Sequence, residues 1–144
     1  MTMRKPRALQ PGDRIAIIAP ASWFSVEEFH AGLFELESLG FVPSADMSVY
    51  ERTRYTAGTP EVRADALRQA WADPEVHGII AARGGYGSVH LLPLLRPSDF
   101  DGPAKPIVGY SDITSLLTWL TLTCGLVTFH GPMIDGRLSR GPVA

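Results

Sequence analysis

Apolar residues along this chain fall into short runs separated by breaks rich in glycine, proline and charge. The first run, "RIAIIA" from Arg14 to Ala19, is bounded by Pro11-Gly12 and Pro20 and is rich in β-branched residues. Its length and boundaries predict a buried strand. In "SVEEFHAGLFELESLG" the period changes. Val26, Phe29, Leu33 and Leu36 recur at helical spacing, Ser25 and Glu28 form a capping-box pattern, and Gly40 supplies a stop. "FVPSA" predicts a short second strand, weakened by Pro43. A polar, irregular stretch over 46–58 leads to Thr59, which is placed to cap a second helix with Pro60 at its first position and Glu61 beside it. The buried face of that helix is assigned to Val62, Ala66, Leu67, Ala70 and Trp71, and Asp73-Pro74 ends it.

"GIIAA", Gly78 to Ala82, predicts the next strand, and "RGGYGS" follows at once, leading into an apolar, helix-like run through Leu95. "PIVGY" predicts another strand, "DITSLLTWLTLTCG" another helix and "LVTFHG" a last strand. Strands and helices alternate, and several strands are continuous apolar runs. That pattern belongs to an α/β domain, a mostly parallel sheet with helices on both faces. Ligand sites in such sheets lie at the carboxyl ends of the strands, where both "RGGYGS" and "GYSD" fall.

Composition narrows the picture modestly. The 144 residues suit one domain, with 45% hydrophobic and 19% charged residues. A net charge of -2 points to neither nucleic acid nor a membrane surface as partner. The single cysteine, Cys124, excludes an intrachain disulfide framework and suits a reducing compartment, so a cytoplasmic location is expected. Arg4, Lys5 and Arg7 precede the first apolar run, but Pro11, Gly12, Asp13 and Arg14 interrupt what a secretory signal needs. No apolar stretch reaches the roughly 18 residues of a membrane span.

The two loops carry the candidate chemistry. Three glycines and Arg83 in "RGGYGS" let backbone N–H groups approach a phosphate, a carboxylate or a developing oxyanion, or else form a tight strand-to-helix turn. The loop matches neither the dinucleotide fingerprint nor the P-loop lysine pattern. Ser111 between Gly109 and Asp112 suits a nucleophile elbow, although Ile113 stands where G-x-S-x-G has its second glycine. From this loop alone an ordinary helix N-cap is the favoured reading, since Ser and Asp are the commonest residues there. The two alternatives differ in geometry. A cap turns its hydroxyl to the N–H of Ile113 or Thr114, whereas an elbow strains Ser111 and faces its hydroxyl to the Arg83–Gly87 loop. His130, ending the last predicted strand, is expected near the same sheet edge; His30, His77 and His90 show no partner pattern. No histidine has metal-ligand spacing, so neither metal nor cofactor is expected.

Four stretches, "LQPGDRIAIIAPAS", "YTAGTPEVRADALRQAWADPEVHGIIAARGGYGSVHLLPLL", "KPIVGYSDIT" and "GLVTFHGPM", together resemble the N-terminal domain of the LD-carboxypeptidase family of serine peptidases. The expected fold is accordingly a three-layer sandwich, flavodoxin-like or class I glutamine amidotransferase-like. The resemblance implies that Ser111 is the nucleophile and that the Asp112 N–H serves the oxyanion hole, with Gly84 or Gly85 as second donor. Arg83, Tyr86 and His130 are the candidate substrate-binding side chains. The family removes the terminal D-alanine from murein tetrapeptides in cell-wall recycling, and relatives with the same elbow cleave aminoacyl-nucleotide antibiotics. The resemblance further implies a triad glutamate and histidine from a C-terminal domain. Residues 1–135 are expected to form the nucleophile domain and 136–144 to open the linker to that partner, so the 144-residue chain alone is expected to be inactive. A homodimer is a candidate assembly. Two alternatives remain, a peptide-binding module without hydrolysis and a doubly wound domain whose glycine loop holds an anion.

Overall fold

The apolar runs become strands because both of their faces are covered. β1 (Arg14–Ile18) turns Ile15 and Ile17 to one side of the sheet and Ala16 and Ile18 to the other, and all four are buried. In the computed structural model, which describes residues 2–142, β1 is joined by β2 (Val42–Ser44), β3 (Gly78–Ala81), β4 (Ile107–Gly109) and β5 (Phe129–His130). The sheet order is β2-β1-β3-β4-β5, and every neighbouring pair is parallel. This is the flavodoxin-like order, so the α/β expectation holds.

One face is covered by α1 (Val26–Ser38) and by the chain around Ile134 and Leu138. The other is covered by α2 (Pro60–Ala72) and α3 (Thr114–Cys124), with Phe100, Leu116 and Leu120 at its centre. Ser25 caps α1, its Oγ accepting the Glu28 N–H at 3.4 Å, and Thr59 caps α2, accepting the Val62 N–H at 3.2 Å. The reciprocal half of the α1 capping box is absent, because the Glu28 carboxyl lies beside Asp135 instead. That neighbour raises the Glu28 pKa above the ordinary carboxyl value.

Three details depart from the periodicity. The run after the glycine loop forms 3-10 turns over Ser88–Leu94 rather than an α-helix, since Pro93 lacks an N–H and constrains its predecessor. Val26 is 43% exposed at the first turn of α1, so the buried stripe begins at Phe29. The segment expected to open a linker is packed at its start: Leu138 is only 9% exposed, and the Ser139 N–H donates to Ile134 O at 2.9 Å. Residues 143–144 lie outside the described residues. Among the described residues no helix is long and apolar enough to cross a membrane.

Candidate active site

Strand order reverses between β1 and β3, which leaves a crevice at their carboxyl ends. The glycine loop fills it. Gly85 and Gly87 hold φ of +98° and +102°, values that side-chain-bearing residues rarely adopt. Ser22, just after β1, ties the loop down: its N–H donates to Gly84 O at 3.1 Å and its Oγ accepts the Tyr86 N–H at 3.0 Å. A Cβ on Gly85 would collide with that hydroxyl. At the far end of the loop the Ser88 N–H donates to Asp112 Oδ2 at 2.9 Å, and Ser88 Oγ donates to Asp112 O at 2.6 Å.

The chain leaves β4 through Tyr110, which is fully extended at φ -158°, and then turns at Ser111 with φ +58°. Arg54 is the other non-glycine residue with positive φ among the described residues. The left-handed region costs an L-residue roughly 1–2 kcal/mol, so this turn is held by its surroundings. Ser111 is exposed, and its hydroxyl forms no hydrogen bond within the described residues. The Ile113 N–H donates to Tyr110 O at 3.2 Å, and the Thr114 N–H to backbone carbonyls. Both N–H groups that a capping serine would serve are therefore already taken. The geometry is that of an elbow.

The two loops meet at Gly84. A Cβ there would lie 3.3 Å from Ser111 Cβ and 3.5 Å from Asp112 N, so the missing side chain is what allows the approach. Among the described residues the N–H groups of Gly84, Gly85 and Asp112 donate to no acceptor, whereas that of Tyr86 is committed to Ser22. Unpaired donors beside an unbonded hydroxyl can stabilise negative charge on an oxygen held between them.

The other candidates sit around this centre. Arg83 is turned sideways, Nη1 donating to Trp23 O at 2.6 Å and Nε lying 3.7 Å from Asp135 Oδ2. Tyr86 is exposed, its ring edge-on to His90 at 5.3 Å. His130 pairs in register with Gly109, and its ring meets Tyr110 at 5.8 Å; no hydrogen bond links it to Ser111. Ser22, Arg63 and Ser88, all buried, hold the loops and escaped the sequence reading. A serine just past the first strand and an arginine inside a helical apolar face were the available signals. No group of three or more His, Cys, Asp or Glu converges among the described residues. Cavities of 240 and 620 Å³ lie elsewhere in the domain, and neither is lined by Ser111.

A family model for the LD-carboxypeptidase N-terminal domain matches residues 15–131. The murein tetrapeptide carboxypeptidase of Pseudomonas aeruginosa is 38% identical over 129 residues, covering 88% of this chain and 42% of that protein. A muramoyltetrapeptide carboxypeptidase structure from Oxalobacter formigenes superimposes with a TM-score of 0.82 at 33% identity, over 91% of this chain and 44% of that one. The microcin C7 self-immunity protein MccF of Escherichia coli is 32% identical over 137 residues, covering 93% of this chain and 40% of that protein. A structure of MccF in complex with glutamyl sulfamoyl guanosine superimposes with a TM-score of 0.90 at 28% identity, over 99% of this chain and 43% of that one. The chain spans less than half the length of the curated relatives it matches.

Proposed function

The chain belongs to the LD-carboxypeptidase family, and from that premise we propose that it forms the nucleophile-bearing domain of a serine hydrolase that releases the terminal D-alanine of murein tetrapeptides. One observation carries the reading: a strained, exposed Ser111 stands beside Gly84 and Asp112, and among the described residues its hydroxyl has no partner and their N–H groups no acceptor. In this proposal Ser111 Oγ attacks the L,D-peptide carbonyl, and the N–H groups of Asp112 and of Gly84 or Gly85 bind the oxygen as it becomes negative. A serine hydroxyl is a weak nucleophile until a base takes its proton, and the histidine and glutamate for that task are assigned to a second domain. In the same reading that domain covers the exposed Ser111. Tyr86 and His130 line the substrate's approach, and Arg83 meets its carboxylate from the Asp135 side. The activity is placed in cytoplasmic recycling of cell-wall peptide.

Two measurements test this. The 144-residue chain, incubated with an L,D-tetrapeptide and followed by mass spectrometry for D-alanine, is expected to show at most the residual catalysis of about 10³–10⁴ over water that survives loss of triad members. Turnover near ~1 s⁻¹, at the low end of working enzymes, would overturn the two-domain reading. In a protein carrying the complete triad, Ser111→Ala is expected to abolish D-alanine release while substrate binding stays intact. Unchanged kcat would return Ser111 to a structural role. The similarity to MccF supplies the second candidate substrate: cleavage of an aminoacyl sulfamoyl nucleoside with no action on tetrapeptide would move the assignment to that class.

A further inference from the structure

The carboxyl end of the sheet hides one charge for which the proposed chemistry has no use. Arg63, on α2, is 2% exposed, and among the described residues no carboxylate lies within ion-pair distance of it. Its guanidinium donates to backbone carbonyls instead: Nη1 to Pro20 O and Gly87 O, both at 2.8 Å, and Nε to Gly58 O at 3.1 Å and Thr59 O at 3.3 Å. Burial lowers its pKa, and the negative charges of Asp112 and Glu61 offset part of that effect. A buried cation satisfied by dipoles alone is costly unless an anion balances it nearby.

The balancing anion is one peptide away. The Gly87 carbonyl and the Ser88 N–H belong to the same planar amide. Its oxygen accepts from Arg63, while its N–H donates to Asp112 Oδ2 at 2.9 Å. A cation pulling on the oxygen makes the N–H a stronger donor, so the two bonds reinforce each other. Gly87 is needed for this approach, since its φ is +102° and a Cβ would lie 2.9 Å from Thr56 Cγ2 and 3.3 Å from Arg63 Nη1.

We propose that Arg63 and the Asp112 carboxylate form an ion pair bridged by the Gly87–Ser88 peptide, and that this bridge sets the spacing between the glycine loop and the Ser111 turn. Arg63 is then a positioning residue. It touches no substrate, but its influence ends on the residue directly after Ser111. The functional consequence rests on the hydrolase reading above; the bridge does not. Lysine cannot take its place, because a single ammonium lacks the fork that reaches Pro20, Gly58 and Gly87 together. A purely structural arginine would instead staple α2 to Pro20 and Gly58 with no link to Asp112.

The test is a double-mutant cycle on the 144-residue chain, read by NMR as hydrogen exchange of the Ser88 amide relative to the Ile80 amide in β3. Arg63→Met and Asp112→Asn are each expected to speed Ser88 exchange about tenfold. The double variant is expected to stay near tenfold rather than reach the ~100-fold of independent sites. The Ser88 amide proton, held downfield by its charged acceptor, is expected to move upfield in Arg63→Met. Multiplying effects, or a Ser88 amide indifferent to Arg63→Met, would overturn the bridge. Should Arg63→Met fail to fold, Arg63→Lys takes its place in the cycle and the same non-additivity is required. No hydrolysis enters the measurement. A failed cycle therefore removes the bridge and leaves the hydrolase reading, while a non-additive cycle in an inactive whole protein does the reverse.

Discussion

Ser111 is a residue whose backbone works against its side chain's identity. Glycine would sit at φ +58° without strain, yet the chain carries a hydroxyl there. Ser111→Gly is therefore expected to stabilise the domain by about 1 kcal/mol through relief of the left-handed penalty. Calorimetry should show Tm rising by roughly 2–4 °C. A fall in Tm would mean that the hydroxyl makes a stabilising contact and that the strain is not stored for chemistry. The same logic, inverted, applies to Gly84, whose lack of a side chain keeps the loops within reach of each other.

At the scale of elements, α1 shows how packing overrides propensity. Gly32 lies mid-helix, where alanine would be favoured by about 1 kcal/mol. A Cβ there would stand 2.8 Å from Ile134 O, a backbone atom that cannot swing aside. Gly32→Ala is thus expected to destabilise by roughly 1–3 kcal/mol, as overpacking does. Chemical denaturation would measure it, and a stabilised variant would show that the segment around Ile134 yields. This contact also explains why the chain past Asp135 is packed rather than extended. Leu138 is buried against α1, and Ile134 N and Asp135 N donate to Ala81 O and Ala82 O at the end of β3.

Across the whole molecule the two ends of the sheet have separate tasks. The carboxyl end carries the candidate site, and the amino end is closed by Asp13, which accepts from Arg7 at 2.9 and 3.1 Å and from the Gln10 N–H at 2.8 Å. The Arg7 guanidinium foremost, and then the Gln10 N–H, hold the Asp13 carboxyl below its ordinary value. A carboxyl depressed in the fold stabilises above its unfolded pKa, about 3.9, and loses that contribution as pH falls through the folded value. Tm recorded from neutral pH to about pH 2.5 should therefore fall more steeply for wild type than for Asp13→Asn, the curves converging in acid. Parallel curves would show that the pair is solvated away and contributes nothing, as many surface pairs do.

The sequence by itself determined most of the scaffold. Continuous apolar runs in "RIAIIA" and "GIIAA" can be buried only in a sheet covered on both faces, while Ser25 and Thr59 marked helix starts through local hydrogen bonding and Pro60 through its fixed φ. The position of "RGGYGS" and "GYSD" at strand ends brought both loops into view, because ligand sites of such sheets lie at the carboxyl ends of the strands. Other features belong to the tertiary structure. Whether Ser111 caps or is strained depends on its own φ, on Tyr110 O and on Gly84, and Gly84 reaches it only through the crossover between β3 and β4. Arg63 shares the apolar stripe of α2 with Leu67 and Ala70, but the carbonyls of Pro20, Gly58 and Gly87 that satisfy it are brought together only by the fold. Local pattern encodes period, caps and turns, which act over a few residues. The spacing between the Ser111 turn and the glycine loop is instead set by contacts between residues more than twenty positions apart, such as Ser88 with Asp112 and Arg63 with Gly87, and these exist only once the sheet has formed.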